Sequence, residues 1–336
     1  SYLEACIRPQ NENSLENFYQ NRFGKELYSM FFEKYTEKLC GVHPNEISPK
    51  WGEDRVRGLS IGAILNQSKS KKGQQIRDGL LPPSLFYYPK YGPGQLWERV
   101  ARQAMGAGAE ILLNHKVEYL YQNEQGQIDY AVVQTAEGKK QIEGDVFLSS
   151  MPLRELMTGL EQVPVEIREL AEKLPYRAFV TIGLLVDKVK QDRKDCWIYV
   201  QDERVKVCRI QFYDNWSPYL QTGDGKYRFL ALEYYCQEND EFWSMSEDAC
   251  VKIAIEEAIM LGIIERDTKI LDFHRERLPQ AYPGYYGGYE GIEKIKVYVS
   301  EIKNLICIGR GGLHEYWNMD KCMISAWEAV KNLEVF

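Results

Sequence analysis

The stretch that most constrains this chain lies near its end. Leu305-Ile306-Cys307-Ile308 is a short apolar run that empties directly into Gly309-Arg310-Gly311-Gly312. Apolar residues in a short block closed by glycine read as a buried strand. Glycines behind a strand let the backbone approach a ligand closely, and an arginine among them can hold phosphate oxygens in a fork. A helix is predicted from about Met319, and its unpaired first N–H groups favour a negative charge. Together these elements suit a dinucleotide or its polar middle; a plain glycine-rich turn suits the same spacing. The dinucleotide fingerprint G-x-G-x-x-G is absent from all 26 glycines. The nearest approach, Gly309-x-Gly311-x-x-His314, lacks the third glycine that close helix–strand packing requires, and no helix is expected directly behind it.

The rest of the chain leaves room for two domains, since 336 residues compare with about 100–200 per domain. A composition of 44% hydrophobic and 27% charged residues is that of an ordered globular protein. The net charge of −7 argues against nucleic-acid partners but leaves room for a local cationic pocket. No apolar run approaches a membrane span, and Ser1 to Cys6 carry neither the basic start nor the apolar core of a signal peptide. Eight cysteines without a C-x-x-C pair imply reduced, largely buried thiols and a cytoplasmic location. His43, His115, His274 and His314 share no ligand spacing, so no metal is expected.

Along the chain, Leu15, Tyr19, Phe23, Leu27, Phe31, Tyr35 and Leu39 recur every four residues and predict helix over 14–40, capped by Ser14 and split at Gly24. The polar stretch 66–79 carries Lys69, Lys71, Lys72 and Arg77 and reads as a solvated loop or as an anion-docking loop. A turn-rich loop over 88–94 precedes a helix with Leu96, Val100 and Ala104 on one face. Strands are expected at 111–113, 117–121, 128–134 and 146–148, with Gly126 in a hairpin turn. A meander follows at 178–186, 196–200, 207–213 and 227–235. Then come a helix at 246–261, a strand at 270–275, a Gly/Tyr-rich segment 281–289 too irregular for a strand, and a helix at about 289–302.

Four stretches carry a family resemblance. They are Arg22-Phe23-Gly24-Lys25-Glu26-Leu27-Tyr28 continuing through Tyr35-Thr36-Glu37-Lys38 and Gly41 to Trp51 and Arg55; Tyr88-Pro89-Lys90-Tyr91-Gly92-Pro93-Gly94-Gln95-Leu96 and on to Val117; Ala281-Tyr282-Pro283 with Gly288-Tyr289-Glu290; and Asn304-Leu305 through Gly309-Arg310 to Tyr316 and Asn318-Met319-Asp320. In that order the chain resembles FAD-dependent amine oxidoreductases of the protoporphyrinogen-oxidase-like group, with UDP-galactopyranose-mutase-like relatives. The sequence departs from the pattern at Cys40, where relatives often have Trp, at Tyr286-Gly287 and at His314-Glu315. Those departures bear on the substrate rather than on the cofactor.

The resemblance implies an α/β (α+β) fold. An incomplete FAD-binding α/β domain would comprise 85–175 and 283–336, a mixed or antiparallel substrate-binding sheet 176–282, and a helical part over the pocket 1–84. The N-terminal GxGxxG block of the family would precede residue 1, so the chain is expected to be a segment of a longer flavoprotein whose FAD binding is weak or absent without that block. The resemblance places Val117, Met151, Pro152, Gly309, Arg310, Asn318, Met319 and Asp320 at FAD. It leaves Arg55, Arg57, Tyr282, Tyr285 and Tyr316 for a small-molecule substrate and His314 as the candidate acid or base. The implied reaction is hydride transfer from substrate to FAD. Two alternatives stay open: a sugar-nucleotide mutase using reduced flavin, and a non-catalytic fragment or binding module.

Overall fold

The computed structural model describes residues 1–56, 87–221, 223 and 225–333. Arg57 and the basic stretch 66–79 lie outside the described residues. The chain forms two compact units, Ser1–Ala109 with Arg177–Pro279, and Glu110–Tyr176 with Gln280–Phe336. Strands in chain order are β1 Lys116–Gln122, β2 Ile128–Thr135, β3 Gly138–Glu143, β4 Phe147–Ser149, β5 Tyr176–Val186, β6 Trp197–Tyr199, β7 Arg209–Phe212, β8 Arg228–Cys236, β9 Ile270–Pro283 and β10 Leu305–Cys307.

The first unit is built on a five-stranded sheet of order β6-β7-β8-β5-β9. β5 pairs antiparallel with β8 from Ala178↔Cys236 to Val186↔Arg228 without a slip. Alternation puts Val180, Ile182 and Leu184 on one face, and Ile210, Leu230 and Leu232 join them. Helix Glu247–Met260 covers that face with Cys250, Val251, Ala254 and Ala258, and all of these residues are buried. Ser246 caps the helix by accepting the Ala249 N–H, as its sequence predicts.

The N-terminal helices belong to the same unit. Leu15–Tyr28 is broken at Gly24, whose φ of +77° no side-chain-bearing residue adopts cheaply, and a π-turn over Ser29–Glu33 leads into Lys34–Cys40. The break and the π-turn rotate the apolar face, so Tyr28 is buried and Phe31 is exposed, against the four-residue pattern. Lys38 ties this part to the sheet: its Nζ donates to the carbonyls of Val200 (3.2 Å), Asp202 (2.9 Å) and Val207 (3.0 Å). Buried Glu257 holds the same loop from the other polarity, accepting the N–H groups of Lys206 (2.5 Å) and Val207 (3.0 Å) and the Tyr234 hydroxyl (3.1 Å). An ammonium on carbonyls and a carboxylate on N–H groups satisfy the loop backbone that no strand pairs.

In the second unit β1, β2 and β3 form an antiparallel meander, and β4 pairs in parallel with β10 through Leu305↔Phe147, Ile306↔Leu148 and Cys307↔Ser149. Leu120, Ile128, Ala131 and Val133 from the meander pack with Leu153, Leu156 and Met157 of helix Leu153–Gly159 and with Ile292, Ile295 and Val299 of helix Ile292–Ser300.

Four expectations fail locally. Residues 111–113 form no strand. Strand β9 runs on through Ala281-Tyr282-Pro283, where an irregular loop is expected, because a left-handed Gln280 (φ +47°) lets it bend and continue. The helix expected at about 289–302 is shorter, a 3-10 turn over Gly287–Gly291 leading into Ile292–Ser300. A one-turn helix, Gly309–Leu313, does open directly behind β10, before the long helix Met319–Leu333.

Among the cysteines, Cys40, Cys208, Cys236 and Cys250 are buried. Among the described residues no cluster of His, Cys, Asp or Glu suits a metal ion. Nor is any helix among them long and apolar enough to cross a membrane.

Candidate functional site

The carboxyl ends of β4 and β10 lie side by side, and a turn leaves each. Behind β4 come Ser150, Met151 and Pro152; behind β10 come Ile308 and the one-turn helix. The glycines explain how closely these turns meet. A Cβ on Gly311 would lie 2.6 Å from the Ser150 carbonyl oxygen, and one on Gly312 would overlap the Ser149 carbonyl oxygen. Gly309 differs: its φ is +67° and a Cβ there would meet nothing within 4 Å. Gly311 and Gly312 therefore serve packing, while Gly309, itself buried, leaves open space where a side chain would stand. The Gly309 N–H is taken by Ser325 Oγ (2.9 Å), which docks helix Met319–Leu333 onto the turn. Asn318, Met319 and Asp320 are exposed at the start of that helix. The Ser149 hydroxyl, buried at the end of β4, has no hydrogen-bond partner among the described residues.

Arg310 does not present an open fork. Its Nε donates to the Trp317 carbonyl (2.7 Å) and Nη1 to the Ala281 carbonyl (3.2 Å). Its guanidinium carbon lies 4.9 Å from the Tyr282 ring centre and 5.3 Å from that of Tyr316. The two rings stack on each other, 5.1 Å apart at 25°. Cation–π contact with two electron-rich faces holds the charge in place. The structure thus joins Arg310, Tyr282 and Tyr316 in one cluster.

Tyr285 and His314 are drawn inward instead. The Tyr285 hydroxyl donates to Glu315 Oε2 (2.9 Å) and accepts the Tyr316 N–H (2.8 Å), and Lys296 Nζ donates to Glu315 Oε1 (2.7 Å). Burial and the adjacent Glu315 charge hold the phenol pKa well above its ordinary value. Sequence reasoning missed Glu315 and Lys296: they are 19 positions apart, and only the fold brings them together. His314 has no exposed surface. Its Nε2 lies 3.1 Å from the Gly284 carbonyl, which makes Nε2 the protonated nitrogen, and buried Nδ1 has no partner among the described residues. Its ring meets Tyr176 edge-on at 4.8 Å. Burial pushes its pKa down to about 4. A neutral, enclosed imidazole fixes the turn at its left-handed backbone (φ +49°) and has no opening toward a reacting group.

Val117 sits in β1 beside a bulge, paired with Val133. Arg55 falls within helix Lys50–Val56.

Neither the scan against protein-family models nor the search of curated proteins finds a match. Among solved structures the chain is similar to a reduced UDP-galactopyranose mutase, with a TM-score of 0.79 and 17% identity over 99% of this chain and 69% of that one. It is similar to a provisionally assigned protoporphyrinogen oxidase from Exiguobacterium sp. 255-15, with a TM-score of 0.68 and 14% identity over 99% and 71%. It is similar also to cyclohexylamine oxidase from Brevibacterium oxydans IH-35A, with a TM-score of 0.57 and 11% identity over 96% and 68%. At these identities the likeness is one of fold, and the chain has the α/β fold these enzymes share.

Proposed function

We propose that this chain is part of a flavin-dependent oxidoreductase that oxidises a small organic substrate by hydride transfer to FAD. The observation that carries the reading is the paired carboxyl ends of β4 and β10, in a chain whose fold matches those enzymes along 99% of its length. In open α/β sheets a ligand lies outside the carboxyl ends of parallel strands. Here that position offers the open side of Gly309 and the exposed start of a 15-residue helix. Such a place fits the polar middle of FAD, with Gly309, Asn318, Met319 and Asp320 against it, and Met151, Pro152 and Val117 as further cofactor residues. FAD supplies the hydride-accepting ring when bound. Arg310 acts by holding Tyr282 and Tyr316 as one wall toward the substrate, its charge positioned by two carbonyls rather than reaching out to phosphate. Tyr285 and His314 support that wall from inside. Residues 85–175 and 283–336 form the FAD side in this reading, and the sheet of 176–282 serves the substrate.

A second reading, sugar-nucleotide isomerisation with reduced flavin, is favoured by the TM-score of 0.79 to the mutase.

The test is to titrate FAD into the purified chain and follow flavin fluorescence and the visible spectrum, then pass the mixture through gel filtration. The sequence holds no glycine fingerprint, so FAD is expected to bind weakly and to separate on the column. Gly309→Val, which fills the open side, is expected to weaken binding further. A flavin spectrum unperturbed at millimolar chain would overturn the flavin reading. Turnover of a sugar nucleotide under reducing conditions, with no oxidation of amine or porphyrinogen-type donors, would put the mutase in its place.

A further inference from the structure

Helix Ile292–Ser300 carries two lysines that pair with carboxylates, and the pairs differ in kind. Lys294 meets Glu166 at 2.7 Å with side chains 65% and 70% exposed, a surface pair of little consequence. Lys296 meets Glu315 at the same 2.7 Å, but there the side chains are 25% and 10% exposed. An ion pair withdrawn from water needs further hydrogen bonds to hold it, and here those bonds lead to the tyrosine wall.

Glu315 Oε2 accepts the Tyr285 O–H (2.9 Å), and the Tyr285 oxygen in turn accepts the Tyr316 N–H (2.8 Å). The Glu315 backbone closes the same turn: its N–H donates to the Arg310 carbonyl (3.1 Å) and its carbonyl accepts the Trp317 N–H (2.8 Å). Trp317 passes the constraint on, since its carbonyl holds Arg310 Nε (2.7 Å). Tyr316 and Arg310 therefore both take their position from the turn that the Glu315 side chain anchors. A carboxylate holds a phenol O–H more firmly than a neutral carboxyl does, and a buried carboxyl is kept charged by a cation beside it.

We propose that Lys296 is a positioning residue: its ammonium keeps Glu315 ionised, and ionised Glu315 sets Tyr316 through Tyr285. That the positioned ring faces substrate rests on the reading given above; the relay from Lys296 to Tyr316 does not. Around the pair stand Tyr285 and Tyr289, whose ring centres lie 4.6 Å apart, His314 and Arg310 in the turn itself, and Arg154 near His314. Burial holds His314 neutral and Tyr285 protonated from about pH 5 to 9. A titration felt at Tyr316 in that range therefore reports Glu315.

The full chain with 4-fluorophenylalanine at position 316 has one fluorine resonance, and following it from about pH 5 to 9, without FAD, tests the relay. In the otherwise wild-type chain its shift is expected to be independent of pH. With Lys296→Met the resonance is expected to move along a one-proton curve, and Lys296→Arg, which keeps the cation, is expected to leave it flat. Adding Glu315→Gln to Lys296→Met removes the proton site and is expected to abolish the curve. Lys296→Gln keeps a hydrogen-bond donor without the charge; it is expected to give the same curve and decides the matter if the Met variant fails to fold. A displacement equal at every pH would show lost packing alone and overturns the proposal. So does a curve in the wild-type background, one that survives Glu315→Gln, or one that appears with Lys296→Arg. Failure of FAD to bind overturns the flavin reading and leaves these outcomes unchanged.

Discussion

Gly309 and Gly312 stand in one loop for different reasons, and substitution separates them. A Cβ on Gly312 would overlap a backbone carbonyl at the end of β4, and backbone yields only by moving the strand. Gly312→Ala is therefore expected to cost about 2 kcal/mol or more, as overpacking does. Gly309→Ala meets open space and pays only for its left-handed backbone, about 1 kcal/mol. Equal losses in urea denaturation would refute the distinction. His314 gives a pH prediction. Its pKa falls from the ordinary 6.5 to about 4 on folding. The unfolded chain therefore binds the proton more readily, so the stability His314 contributes is complete above pH 6.5. It is lost as pH falls toward 4, where the loss is on the order of 3 kcal/mol at about 1.4 kcal/mol per unit. Asn tolerates the left-handed backbone, so His314→Asn is expected to flatten the pH dependence of the urea midpoint between 6.5 and 4. A variant that keeps the wild-type slope would assign that slope to other groups. The glycine loop and the arginine were legible in the sequence because residue type alone announces them. The partners of Arg310, the carbonyls of Ala281 and Trp317, were not, since every residue carries a carbonyl and only the fold selects one.

Among the elements, those with a clean period were legible and those built from polar residues were not. β5 and β8 announce themselves by β-branched and aromatic residues. β3, Gly-Lys-Lys-Gln-Ile-Glu, went unread because its side chains are solvated and only pairing with β2 makes it a strand. Ile111-Leu112-Leu113 misled in the opposite direction, being apolar yet exposed and outside any strand. β9 ends its sheet, and its N–H groups at Phe273 and Arg275 are taken by the carboxylates of Asp272 (2.8 Å) and Glu247 (2.9 Å). Those bonds blunt an edge that would otherwise template another strand. Helix Met319–Leu333 carries an uncovered stripe: Met319, Met323, Ile324, Trp327 and Val330 lie on one face and are 48–64% exposed. A contiguous apolar face of this kind binds dyes and promotes association. Ile324→Lys with Trp327→Glu is expected to lower anilinonaphthalene-sulfonate fluorescence and self-association without lowering the thermal midpoint. A drop in that midpoint would show the stripe to be structural in the chain by itself.

In the whole molecule, two cores divide the chain, one under the five-stranded sheet and one between the meander and its helices. Each is assembled from stretches far apart in sequence: β10 pairs with β4 across more than 150 residues, and the Asn304 side chain bonds Ile128 through both its amide atoms at 2.8 Å. Periodicity is a local property, so it could announce strands and helices without saying which of them share a sheet. The sequence by itself determined the alternation of α and β elements, the absence of the dinucleotide fingerprint, and the strand, glycine turn and helix at residues 305–320, because each depends on backbone rules that act within a few residues. Only the tertiary structure decided that Arg310 is spent on carbonyls and tyrosine faces, and that His314 is enclosed and neutral. Burial and the choice of partner depend on what packs opposite, and what packs opposite is set by contacts between residues distant in the chain.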